Sequence, residues 1–264
     1  MERSSPVYQT YVKILERELV PAMGCTEPIA IAYCAAVARS VLGELPDRIH
    51  VVASGNIIKN VKSVVVPNTG GRRGMETAAA IGALGGDETA GLEVIAHVPQ
   101  KAKDRLERYL QETEITVGAA QTDHVLDIEV TVSKGNSRAV VRAVNEHTNL
   151  VYIEKNGQVL EERPIEKRED PDAPDYTLLN VADICEFART CELSDVSAIL
   201  DRQIACNTAV AEEGLRGNYG ANVGSTLLKA YGTDIKIRAK ARAAAGSDAR
   251  MSGCELPVVI NSGS

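Results

Sequence analysis

Apolar positions at Tyr8, Tyr11, Val12, Leu15 and Leu19 recur at helical spacing, behind Ser5 and Pro6 as a start signal and ahead of Pro21 as a stop. Residues 29–42 are apolar almost all round and end at Gly43, so they predict a helix buried on every side. Between these two helices lies Met23-Gly24-Cys25-Thr26-Glu27-Pro28, with Thr26 as the expected N-cap and Glu27 and Pro28 suited to a first turn. Alternation and β-branching predict a strand over 48–53 and a short one over 63–66. The loop Pro67-Asn68-Thr69-Gly70-Gly71-Arg72-Arg73-Gly74 then leads into a helix over 75–84.

From residue 92 the pattern changes. Residues 92–98 read as a strand and 101–112 as a charged amphipathic helix. Strands are predicted over 125–132, 139–144, 150–154 and 158–162, the last two joined at the hairpin signal Asn156-Gly157. The charged, proline-bearing run 166–175 reads as a linker. Helices return over 181–191, 195–213, 221–231 and 234–245, and residues 248–257 read as a dense polar loop. The resulting expectation is an α+β protein: a mainly helical body formed by 1–90 and 176–264, with a small mixed α/β subdomain inserted over 91–175.

Composition narrows the function classes. The 264 residues hold one Phe and no Trp, so Ala, Val and Ile must fill the interior by close helix packing. A net charge of −7 argues against a nucleic-acid surface. No apolar run is long enough to span a membrane, and the N-terminus lacks the pattern of a secretion signal, so a cytoplasmic location is expected. The six cysteines have neither a disulfide framework nor the close ligand pairs of a structural zinc site. All four histidines read as structural or surface residues: His50 and His97 in strands, His124 and His147 in turns.

Candidate chemistry gathers in a few places. Cys25 ahead of a buried helix N-terminus would be favoured as a thiolate; the other reading is a small buried residue. The glycine-rich loop before a helix is a candidate anion cradle for a substrate carboxylate, the alternative being an ordinary connection. It lacks the Gly-Lys-Ser/Thr ending of a nucleotide loop. Lys59 beside Asn60 reads either as a charge-neutralising residue or as a solvated lysine.

The pieces Gly24-Cys25-Thr26-Glu27-Pro28, Lys59-Asn60, Pro67-Asn68-Thr69-Gly70 and Ala249-Arg250-Met251-Ser252-Gly253-Cys254-Glu255-Leu256-Pro257 resemble the L-cysteine desulfidase family, related to the iron–sulfur L-serine dehydratase alpha chain. The resemblance implies a 4Fe–4S cluster and β-elimination from a small amino acid, with cysteine giving sulfide, ammonia and pyruvate. It implies Cys25, Glu27 and Lys59 as catalytic residues. Thr26, Asn60, Asn68, Thr69, Gly70, Asn261, Ser262 and Gly263 are implied in substrate binding, and Cys25 and Cys254 as metal ligands. Family members continue past the glycine–hydroxyl loop at residues 261–264, so the chain reads as C-terminally truncated. Its partners would be the amino-acid substrate, a second copy, or a chain supplying the remainder. Serine dehydration and a non-catalytic amino-acid-binding or dimerisation module are the alternatives. A pyridoxal-phosphate lyase would run the same elimination, but no stretch matches one convincingly.

Overall fold

The structure is a computed structural model that describes residues 1–165 and 172–261. Among the described residues nine α-helices and a mixed sheet make an α+β fold, as the pattern predicts. Helix α1 (Pro6–Glu18) opens on a Ser5 cap that accepts from the Tyr8 backbone N–H. It ends before Pro21, because 19–23 continue as a strand, β1 (Leu19–Met23), on the edge where a proline is tolerated. Helix α2 (Thr26–Leu42) follows and stops at Gly43, whose φ of 89° lies in the left-handed region. It is buried around most of its circumference, with Ile29, Ala30, Ile31, Ala32, Cys34, Ala35, Ala36 and Ala38 inaccessible, but not on every side: Tyr33, Val37 and Val41 are half-buried and Ser40 is exposed along one stripe.

Strand β2 (Arg48–Ala53) and the short helix α3 (Gly55–Val61) lead to the glycine-rich loop and to α4 (Met75–Gly85). Residues 63–66 form no strand; they make one bridge, Val65 to Arg73, across the neck of the loop. Residues 92–98 also form no strand. A 3₁₀ turn (Gly91–Glu93) and further turns replace it, burying Val94, Ile95 and Val98 while leaving His97 exposed. A strand pattern was imitated by apolar residues that pack from a compact loop.

Helix α5 (Gln100–Glu112) precedes β3 (Glu114–Ala119), a mostly exposed edge strand that the sequence pattern did not predict. Strands β4 (Asp127–Lys134), β5 (Ser137–Val144), β6 (Leu150–Lys155) and β7 (Gln158–Glu162) follow as an antiparallel meander. The sheet order is β3-β2-β4-β5-β6-β7, with only β2 and β3 parallel. Strand β2 thus sits inside the sheet, so this sheet is not built from residues 91–175 alone. Ile49, Val51 and Ala53 of β2, Ile128, Val130 and Val132 of β4, and Ala139, Val141 and Ala143 of β5 join α2 and α4 in one core.

The remaining helices are α6 (Val181–Thr190), α7 (Leu193–Arg216), α8 (Val223–Tyr231) and α9 (Ile235–Met251). Helix α9 runs through 248–251, where a polar loop is expected, because Ala241, Ala245 and Ala249 recur every fourth residue and bury one face. It is capped by Asp234, which accepts from the backbone N–H groups of Lys236 and Ile237. Strand β8 (Pro257–Asn261) returns to pair antiparallel with β1, and Ala22, Val210, Ala249, Cys254, Val258 and Ile260 form a second core there. The predicted linker over 166–175 lies partly outside the described residues, and a 3₁₀ turn over Tyr176–Leu178 follows it.

Helices α2 and α4 approach closely in the main core. A Cβ on Gly82 would come within 2.6 Å of Ala32 Cα and collide with its carbonyl. Gly82→Ala gains about 1 kcal/mol in helix propensity and loses about 3 kcal/mol to overpacking. The steric cost wins, and a urea unfolding midpoint clearly below that of the wild-type chain is the expected result.

Candidate active site at the N-terminus of the buried helix

Strand β1 and helix α2 meet at a sharp junction. Gly24 has φ of 64°, and a Cβ there would stand 2.9 Å from Pro67 Cγ, so glycine satisfies both the turn and the close approach. Cys25, not Thr26, is the N-cap: its φ and ψ of −81° and 136° are extended, and Thr26 is already helical. The thiol makes no capping bond to the backbone and points instead at Glu27.

Glu27 is the centre of the site. Its Oε2 accepts from the Cys25 Sγ at 2.7 Å and from the Thr26 hydroxyl at 3.3 Å. Its Oε1 accepts from Asn60 Nδ2 at 2.8 Å, and Asn60 is presented by α3. Burial alone would raise the Glu27 carboxyl. Hydrogen bonds from Cys25, its own backbone N–H and Asn60, with the nearby His147, outweigh burial and hold it below the ordinary carboxylate range. Burial and the Glu27 charge push the Cys25 thiol up to about 12. The thiolate expected at a helix N-terminus is therefore not the resting form. The adjacent carboxylate and desolvation exceed the pull of the helix end.

Two participants come from far along the chain. His147, expected at the surface, is buried in the turn between β5 and β6, where burial lowers its pKa against the opposing pull of Glu27 and Glu146. Arg250, in the last turn of α9, donates from Nε to the Gly24 carbonyl at 2.8 Å. Both lay in polar stretches, and nothing in local spacing marks them as neighbours of Cys25.

Other predicted residues are placed differently. Lys59 is exposed on α3 rather than at a strand edge. Asn68 and Thr69 are buried and engaged within their own surroundings. Asn68 donates to the Ile95 carbonyl at 2.7 Å and accepts from Lys103, while Thr69 donates to the Val66 carbonyl at 2.6 Å. Their side chains hold the glycine-rich loop in shape. Gly70, with φ of 68°, is exposed at its tip. At the N-terminus of α4 beyond that loop, a Cβ on Gly74 would stand 2.9 Å from the Glu76 carboxylate. Asn261 closes β8 opposite Leu19, and Ser262 and Gly263 lie outside the described residues.

Cys254 is buried beside the Tyr219 hydroxyl, in the second core. Among the described residues no group of three or more His, Cys, Asp or Glu side chains is placed to hold a metal ion. Cys25 and Cys254 thus do not by themselves supply the ligand set of a four-iron cluster.

The serine dehydratase alpha chain family matches residues 89–264. A UPF0597 protein of Desulfitobacterium hafniense (strain Y51) is 54% identical over 269 residues, covering 100% of this chain and 61% of the relative. UPF0597 proteins of Lachnoclostridium phytofermentans and Treponema denticola are 51% and 44% identical, covering 98% and 97% of this chain and 62% and 61% of their own lengths. The chain therefore spans about three-fifths of these relatives. No helix among the described residues is long and apolar enough to cross a membrane.

Two outcomes are expected for Glu27→Gln. Removing the carboxylate lowers the Cys25 thiol pKa, so alkylation of Cys25 by iodoacetamide at pH 8 accelerates about tenfold for each unit of fall, read by peptide mass mapping. The depressed Glu27 pKa also means that the unfolded chain binds more protons in acid. Its contribution to stability is present above the unfolded-state pKa of about 4.3 and is lost as pH falls through the folded-state value. The acid limb of the stability profile is accordingly shallower in the variant.

Proposed function

Since this chain belongs to the serine dehydratase alpha chain family, we propose that it carries an acid–base site for β-elimination from a small amino acid, with L-cysteine as the substrate. The observation that carries the reading is the 2.7 Å contact between the Cys25 thiol and a Glu27 carboxylate held in its ionised form. β-Elimination needs an acceptor for the α-proton. The ionised Glu27 carboxylate is the net acceptor, and the Cys25 thiol in contact with it relays the proton to it. As the Cys25 sulfur takes the α-proton, its own proton passes to Glu27 Oε2. The Cα–H bond breaks, the new S–H bond replaces the old one, and Glu27 becomes neutral. The electron pair left on Cα forms the Cα–Cβ double bond and expels hydrosulfide from Cβ. The resulting aminoacrylate tautomerises and hydrolyses in water to pyruvate and ammonia, and Glu27 gives its proton back to solvent.

Asn60 fixes the far oxygen of Glu27, keeping Oε2 turned toward the thiol. The resemblance also implies a 4Fe–4S cluster, whose chemistry would be polarisation of the leaving group. The described residues do not assemble its ligands, and no step above passes through it. Activity of the whole protein is proposed for the longer relatives as much as for this chain.

The test is release of sulfide and pyruvate, prepared anaerobically with iron and sulfide, from the 264-residue chain and from the whole-length Desulfitobacterium relative. Turnover of L-cysteine above L-serine is expected, falling about 100-fold or more in kcat for Cys25→Ser and for Glu27→Gln. Preference for L-serine would make the protein a serine dehydratase. Binding of cysteine without pyruvate from either length would leave it an amino-acid-binding module.

A further inference from the structure

We propose that Arg250 is the anchor for the substrate's α-carboxylate, a role that rests on the amino-acid reading of the site. Three observations converge on it. The first is position. Arg250 donates from Nε to the carbonyl of Gly24, the residue immediately before Cys25, so the guanidinium is fixed beside the reacting thiol. Its positive charge pulls the pKa of both Cys25 and His147 down.

The second is open hydrogen-bonding capacity. Among the described residues no ion pair includes Arg250, and Nε is its only nitrogen with a hydrogen-bond partner. The two terminal nitrogens remain, in a side chain that is half-buried. A guanidinium with its fork unfilled matches a carboxylate with two parallel N–H donors. The cations around the glycine-rich loop are already engaged: Lys103 with Asn68 and Glu255, Arg72 with Glu107, and Arg73 with the Ser63 carbonyl. The side chains of Asn68 and Thr69, expected to hold the carboxylate, are likewise committed to Ile95 and Val66.

The third is rigidity. The end of α9 is tied down by the Val65 N–H, which donates to the Met251 carbonyl at 3.2 Å, and by the Cys254 N–H, which donates to the Ala249 carbonyl at 3.1 Å. Gly253, with φ of 84°, lets the chain turn against Val65, where a Cβ would meet the Val65 side chain. A charged anchor held this firmly loses little freedom when it binds its ligand.

Calorimetry with the 264-residue chain separates the possibilities, using L-cysteine and cysteamine, which lacks the carboxylate. The wild-type chain is expected to bind L-cysteine about 10- to 100-fold more tightly than cysteamine. Arg250→Gln should bind the two alike, and Arg250→Lys should recover part of the preference. Because Arg250→Gln also removes the Gly24 contact, a second measurement uses the wild-type chain alone: 3-mercaptopropionate, but not cysteamine, should protect Arg250 from phenylglyoxal, mapped by mass. Retained preference in Arg250→Gln, or equal protection by both compounds, overturns the assignment while leaving the elimination reading intact. A wild-type chain that binds neither L-cysteine nor 3-mercaptopropionate overturns the amino-acid site itself, and Arg250's role with it.

Discussion

The burial of α2 is the constraint on which the rest of this protein depends. A helix buried around most of its circumference needs small residues where neighbouring backbones approach, and its alanines together with Gly82 of α4 provide them. The sheet contributes Ile49, Val51, Ile128, Val130 and Val141 from one face to the same core. Such a helix cannot rotate or slide without opening cavities, so its first turn is a rigid platform. Cys25 and Glu27 are mounted on that platform.

Placing the site there has an electrostatic consequence. An ionised carboxylate near a buried helix end is expensive unless its oxygens are saturated with donors. Glu27 receives them from three sources: its own turn, through Thr26 and the backbone; the preceding cap, through Cys25; and α3, through Asn60. The same arrangement explains why Cys25 rests as a thiol. The helix end and Arg250 favour the thiolate, but they act against burial and a full negative charge in hydrogen-bond contact. The one proton of the pair therefore rests on sulfur, with the carboxylate ionised beside it.

The second core performs a different task. By pairing β8 with β1 and packing Ala249 and Cys254 against Ala22 and Val258, it brings the end of α9 back to residue 24 across more than two hundred positions of sequence. Gly24 and Gly253 are the points where the backbone must take left-handed conformations for that closure. Cys254, which the motif at 249–257 makes conspicuous, is buried in this core, whereas Arg250 of the same motif donates to the Gly24 carbonyl.

Much of this was determined by the sequence itself. The α+β class, the buried helix ending at Gly43, β2 and the β4–β7 meander with its Asn156-Gly157 turn all follow from local periodicity and turn chemistry, which depend on residues close in the chain. The importance of the Cys25–Glu27 stretch was legible for the same reason, since both residues lie in one turn. Only the tertiary structure decided that residues 92–98 pack as turns, that 248–251 stay helical and that β3 forms at an edge. It alone decided that His147 is buried, that Asn68 bonds to Ile95 and Lys103 while Thr69 bonds to Val66, and that Arg250 reaches the Gly24 carbonyl. Those outcomes depend on desolvation and on partners that arrive from distant elements, and no local pattern encodes either one.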